Sequence, residues 1–352
     1  MSIHPISLAL LSAVLFGAAT PASKALLTDV SALQLAGLLY LGAALGVAPT
    51  AGFCQVWRLP WRIDRRNRWR LSGAVLAGGV LGPVVLLAGL QKAPAASVSL
   101  WLNLELVATA SLGHWLFRDH LTRTGWLGVG TALGAAFLLS IGTGQAGMLA
   151  GFLVLLACCC WGLDNHLTAL IDGLTPSQST FWKGLVAGSV NTALGLALQP
   201  VSATWSVVVG AVVVGMWSYG ASIALYIQAA QRLGATRGQV FFATAPFFGL
   251  LLSAMVLGEG IQGQHCIAGV LFVGAIVLLW LESHAHQHSH TLLTHAHRHR
   301  HDDRHHTHRH PGLDRSTEHM HWHEHESMAH AHPHWPDLHH RHTHDISGKS
   351  AE

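Results

Sequence analysis

The chain has 352 residues, of which 51% are hydrophobic and only 11% charged, with a formal net charge of +3. So small an excess of positive charge gives no ground for a nucleic-acid partner. Of the 28 histidines, 23 lie between residues 284 and 344, so a polar tail conceals a far more apolar body. That body carries runs of roughly 20 uncharged apolar residues, long enough to cross a bilayer as helices, and the chain reads as an all-α integral membrane protein.

Ten spans are expected, over about 5–27, 31–53, 71–90, 96–117, 124–142, 147–167, 177–198, 204–229, 237–257 and 263–282. The N-terminus has neither a charged leader region nor a small-residue cleavage site, and so reads as the first span. Short connections make neighbouring spans antiparallel. Glycines four apart (Gly42/Gly46, Gly78/Gly82, Gly130/Gly134, Gly147/Gly151 and Gly184/Gly188) predict close helix packing in lipid. Pro21 and Pro246 are expected to kink their helices, at a cavity or for structural reasons alone. Cys158, Cys159 and Cys160 point about 100° apart on a helix and read as packing residues rather than joint metal ligands.

The spans follow a pattern that recurs at an offset of 140 residues, with the acidic step Arg118-Asp119-His120 matched by Gly258-Glu259-Gly260. Two five-helix units, residues 1–143 and 144–282, account for the body, followed by a disordered tail over 283–352. Arginines crowd the 2–3 connection (Arg58, Arg62, Arg65, Arg66, Arg68 and Arg70), with Arg118, Arg123, Arg232 and Arg237 in loops on the same side. The opposite side holds only Lys24 and Lys92, which places both termini and the tail in the cytoplasm. An odd number of spans per unit inserts the second unit upside down, an arrangement suited to alternating access at a midplane site.

Ionisable groups at membrane depth are costly and default to functional candidates. Four qualify: Lys24 late in span one, Glu105 midway along span four, Asp164 in span six and Lys183 in span seven. Glu105, with Asn103 two residues earlier, is the leading proton-coupling candidate; the plainer alternative is a buried glutamate bonded to a neighbouring helix. Trp161, Asp164 and Asn165 fall together in Trp161-Gly162-Leu163-Asp164-Asn165-His166. Asp164 and His166 share no helix face, and their place near the end of the span leaves a solvated interfacial reading open. Lys24 and Lys183 read first as cations snorkelling to opposite interfaces, with Lys24 kept as a pathway candidate. His114 and His265 read as satisfied interfacial histidines.

The tail carries the most specific signal. Its first block holds His284, His286, His288, His290, His295, His297, His299, His301, His305, His306, His308 and His310; its second, His319, His321, His323 and His325; its third, His339, His340, His342 and His344. Alternate residues of an extended chain point the same way, so His-x-His offers two imidazoles to one Zn, Ni, Co or Cu ion. The alternative is a solvated tail that binds metal incidentally, or a pH-sensitive brush. So apolar-poor a segment is expected to lack fixed structure without metal. No nucleophile elbow, phosphate loop, zincin helix or dinucleotide fingerprint occurs, so an enzyme is not expected and no cofactor is required.

Ten spans in two units, Leu15-Phe16-Gly17 with Lys24 in span one, and Leu257-Gly258-Glu259 closing span nine resemble the EamA type of the drug/metabolite transporter superfamily. The resemblance covers about residues 5–282. The family's mid-span proline is matched by Pro246, whereas Leu106 stands at the paired position, and Asp119 and Arg118 replace its usual Glu and Gly. The resemblance implies a central cavity between the repeats and export of amino acids, metabolites or drugs, often against protons. Three functions follow: a proton- or exchange-coupled metabolite exporter, a divalent transition-metal transporter whose tail collects the ion, or a membrane-anchored metal buffer or sensor. The partners implied are the lipid bilayer and a small-molecule or ion substrate, with homodimerisation left open.

Overall fold

A computed structural model describes residues 4–52, 59–117, 121–141, 144–200 and 203–281, and the backbone of 285–290, 293–299, 319–325 and 328–333. Its body is a bundle of antiparallel helices. Among the described residues, nine helical stretches are long and apolar enough to cross a membrane: Pro5–Leu26, Ala32–Ala51, Arg65–Leu90, Ala95–Leu116, Arg123–Ile141, Gln145–Ala169, Trp205–Leu233, Ala235–Leu257 and Gly263–Trp280. A further helix, Pro176–Leu198, is 23 residues long but is not one of the nine. Gln178, Lys183 and Asn191, all buried, make it more polar than its neighbours.

Local chemistry sets the helix ends. Thr175 and Gln178 form a reciprocal capping box around Pro176, so two otherwise orphan amide groups are bonded where that helix begins. Asp64 caps Arg65–Ala74 by accepting from the amides of Arg66 (3.0 Å) and Asn67 (3.1 Å), which starts the third span six residues before the expected Leu71.

Several spans are discontinuous. The first divides into Pro5–Gly17 and Ala19–Leu26, and the ninth into Ala235–Phe242 and Ala245–Leu257. Each break lies about one turn before a proline, Pro21 and Pro246, whose missing N–H leaves the carbonyl four residues earlier without its helical partner. The fourth span also breaks, between Ala95–Trp101 and Leu104–Leu116, with no proline nearby. There Asn103 Nδ2 donates to the Leu100 carbonyl (3.0 Å), and tightened i→i−3 bonds carry the chain through Leu102 and Asn103. Two π-helical turns, Val75–Leu81 and Gly215–Ala221, interrupt Arg65–Leu90 and Trp205–Leu233 at positions 140 residues apart.

The glycine pairs divide. A Cβ on Gly184 would meet the Tyr40 carbonyl at 2.7 Å, and one on Gly188 the Leu41 amide at 2.6 Å, so these glycines let Pro176–Leu198 lie directly on Ala32–Gly52. Gly130 and Gly134 have nothing within 4 Å and mediate no helix contact among the described residues, contrary to expectation. A four-residue glycine spacing defines a stripe on a helix but not the neighbour it faces.

In the tail, Ala285–His290 pairs antiparallel with Met328–Pro333, and Leu293–His299 with His319–His325. Arg118, Asp119, His120, His284, His301, His305, His306, His308, His310, His339, His340, His342 and His344 lie outside the described residues.

Candidate functional site

A cavity within the bundle is lined by Phe16, Tyr40, Glu105, Trp161, Asp164, Asn165, Thr168, Lys183, Tyr219, Ile223, Tyr226, Ile227 and Phe242. The π-helical turn around Gly78 shapes one wall. A turn of this kind offsets the backbone bonding pattern, and the Gly78 carbonyl accepts from both the Tyr40 hydroxyl and Trp161 Nε1 (3.0 Å). Gly78 must be glycine here, because a Cβ would collide with the Asp164 carboxylate.

Opposite that wall, Lys183 Nζ donates to Asp164 Oδ2 at 2.7 Å. Their side chains are 2% and 8% exposed, and this is the only ion pair found among the described residues. A charge removed so fully from water is tolerable only when paired. Asp164 Oδ1, by contrast, is buried with no hydrogen-bond partner.

Asn165 ties the next group together. Its Nδ2 donates to Glu105 Oε1 (2.9 Å) and lies 3.1 Å from Thr109 Oγ1 and 3.3 Å from Gln239 Oε1. Glu105 sits in the first turn of Leu104–Leu116, just past the break in the fourth span, where the positive end of the helix dipole favours a carboxylate. His166 turns away, bonding the Thr109 carbonyl (2.9 Å) and stacking on Phe117 at 4.4 Å.

Of the residues expected on the pathway, Glu105, Trp161, Asp164 and Asn165 therefore meet at one cavity. Asn103 and Lys24 do not line it. The Asn103 amide is drawn to Leu100 at the helix break, and Lys24 Nζ donates to the carbonyls of Leu90 (2.6 Å) and Ala93 (2.9 Å) at one end of the bundle. Asp164 and Lys183 are both buried inside the bundle, contrary to the solvated and snorkelling readings. Phe16, Tyr40, Tyr219, Tyr226 and Phe242 were missed, since an aromatic ring in an apolar run carries no local mark separating wall from core.

A second polar cluster closes the Lys24 end. Gly258, at φ 67°, ends Ala245–Leu257 in the left-handed region. The Glu259 carboxylate that follows accepts the amides of Ala95 (2.8 Å) and Ala96 (2.7 Å). His265 Nδ1 accepts from the Gln262 amide (3.0 Å), so its proton lies on Nε2, which bonds Ser97 Oγ (3.0 Å). His265 is thus satisfied, as expected. At the opposite end Asn67 Nδ2 donates to Asp172, Arg70 to the Leu170 carbonyl, and Gln231 Nε2 to the Ile171 carbonyl (3.0 Å). Among the described residues no three His, Cys, Asp or Glu side chains converge as a metal site would require.

The model of the EamA-like transporter family matches this chain twice, over residues 4–141 and 148–281. An uncharacterized transporter of Methanothermobacter thermautotrophicus is 29% identical over 238 residues, 62% of this chain and 66% of that protein. The chain thus spans just under two thirds of the length of the curated relative it matches. A protein crystal structure superposes with a TM-score of 0.61 over 78% of this chain and 97% of that one, at 18% identity, a likeness of fold alone.

Proposed function

This chain belongs to the EamA-like transporter family, and from that premise we propose a secondary transporter that exports a small metabolite by alternating access, coupled to protons or to exchange. The two units, 1–143 and 144–282, act as inverted five-helix repeats, with Pro176–Leu198 as the tenth span. Both termini and the tail face the cytoplasm of an inner or plasma membrane, as the arginine-rich connections favour.

The observation that carries this reading is the cavity inside the bundle where the buried side chains of Glu105, Asp164 and Lys183 gather, walled by residues of both units. Its support is the recurrence of both π-helical turns at a 140-residue offset. A carboxylate between two repeats can bind a proton or a cargo in turn, and exchanging the repeats' conformations would expose it to either side. The test is counterflow of a panel of small solutes in proteoliposomes carrying the full chain, with and without a proton gradient. The expected result is gradient-dependent movement of at least one solute, lost in Glu105→Gln. A chain that moves no solute of any charge under either condition contradicts the reading.

A second reading has its own observation. The tail register sets His286 against His332, His288 against His330, His295 against His323, His297 against His321 and His299 against His319. Repeated histidine pairs suit a Zn, Ni, Co or Cu ion, and favour a tail that collects or senses the metal. Equilibrium dialysis of the full chain against a chain ending at Glu282 separates the two roles. Metal held only by the full chain, with solute flux intact in both, makes the tail an accessory; metal flux that depends on the tail makes metal the cargo.

A further inference from the structure

We propose, building on the transporter reading, that the cavity's cargo is a small organic ammonium seated against Asp164 and the surrounding aromatic faces. The first ground is charge. When Glu105 is ionised, it and Asp164 set two carboxylates in the lining against the one ammonium of Lys183, so an entering cation restores balance where an anion would deepen the imbalance.

The second ground is the division between occupied donors and an open acceptor. The Tyr40 hydroxyl and Trp161 Nε1 both donate to the Gly78 carbonyl, and the Tyr226 hydroxyl to that of Ala235 (3.4 Å). Asn165 Nδ2 is bonded to Glu105 and Thr109, and Lys183 Nζ to Asp164 Oδ2. An anion would have to displace a bond at Tyr40, Trp161, Tyr226 or Asn165, or turn to the remaining N–H groups of a Lys183 already paired with Asp164. Asp164 Oδ1 is buried and without a partner, and a buried acceptor left alone costs more than one that meets an N–H donor. An ammonium group supplies that donor together with the missing positive charge.

The third ground is the wall. Phe16 meets Trp161 edge-on at 6.0 Å and 82°, Tyr219 at 5.6 Å and 65°, and lies 5.2 Å from Phe242. Ring faces carry the negative part of the aromatic quadrupole and attract a desolvated cation. The space open to the centre of a water molecule is about 40 Å³, room for a few waters. The cargo head is therefore compact, and a longer tail enters only as the repeats part.

The test uses n-butylammonium, 1-butanol and butyrate, which share a four-carbon chain and carry charges of +1, 0 and −1. Calorimetry on the full chain in nanodiscs, referenced to empty nanodiscs, reads their binding. Butylammonium is expected to bind at least tenfold more tightly than the other two. Glu105→Gln, and the double replacement of Asp164→Asn with Lys183→Met that leaves no unpaired charge, are each expected to weaken it tenfold or more. Tighter binding of butyrate or butanol, no binding by any of the three, or butylammonium affinity that survives both replacements overturns the proposal. The transporter reading stands apart from these outcomes and falls only if the solute panel also fails to move.

Discussion

The carboxylate of Glu259 in the second half of the chain receives the amides of Ala95 (2.8 Å) and Ala96 (2.7 Å) in the first, closing one end of the bundle. Charged acceptors make strong hydrogen bonds, each of about 1.5–3 kcal/mol. Lys24 and the Ser97–His265 contact reinforce the same junction. Under the alternating access proposed above, this clasp has to break for the bundle to open at that end. Glu259→Gln retains one acceptor oxygen but turns an N–H group toward the other amide. We expect about 1–3 kcal/mol loss of thermal stability and faster maleimide labelling of a cysteine placed at Ser97. Unchanged labelling would mean that the clasp does not govern access there.

Asp164 and Lys183 make a buried pair, and breaking a pair of this kind from one side leaves a charge without compensation. Lys183→Met alone is expected to destabilise the chain by about 3–5 kcal/mol. The double replacement with Asp164→Asn should recover most of that loss without recovering transport. Thermal unfolding of the two single and one double variant closes the cycle. Additive losses would show that the two residues do not act as a pair.

Gly78→Ala places a methyl group against the Asp164 carboxylate, whereas Gly130→Ala adds one where nothing lies within 4 Å. The first is expected to cost about 1–3 kcal/mol as overpacking and to abolish transport by moving Asp164 from Lys183. The second should be neutral or stabilising by up to about 1 kcal/mol, since alanine has the higher helix propensity. Melting temperature and flux, measured on the same preparations, distinguish them.

Asp64 offers a pH test just outside the membrane-spanning stretch Arg65–Leu90, at the cap of its first helix. Burial pushes its carboxyl upward, but bonds from the Asn67 side chain and from the amides of Asn67 and Arg66 outweigh it and hold the group below its ordinary value. The sign follows from linkage: a carboxyl lowered on folding contributes stability above its unfolded value, and loses it as pH falls through the folded one. Asp64→Ala is expected to cost about 1 kcal/mol at neutral pH as a lost helix cap, with the difference shrinking in acid. A gap between the two chains that stays constant down to pH 3 would contradict that assignment.

Glu105 was visible without any structure, because a carboxylate in an apolar run stands out from its neighbours wherever the chain goes. Lys183 stood out as well, but its pairing did not, since a lysine near a span end is equally compatible with snorkelling, and its partner Asp164 lies on another helix. The break at Leu102–Asn103 was hidden for a similar reason: no proline announces it, and only the Asn103 bond to Leu100 shows how the turn is held. Glycine spacing foretold the crossing at Gly184 and Gly188 but could not say that Gly130 and Gly134 face no neighbour.

Hydropathy and periodicity are properties of consecutive residues, so the sequence by itself determined that this is a multi-pass helical membrane protein whose body repeats a pattern. Which side chains share a cavity depends on how helices separated by tens of residues rotate against one another. Tertiary packing alone decided that the Asp164 carboxylate meets Lys183 on one side and leaves its other oxygen open. It also decided that Glu259 reaches across to Ala95. Pairings of this kind are chosen by the cost of burying an unmatched charge or amide, a quantity that exists only once the helices have met.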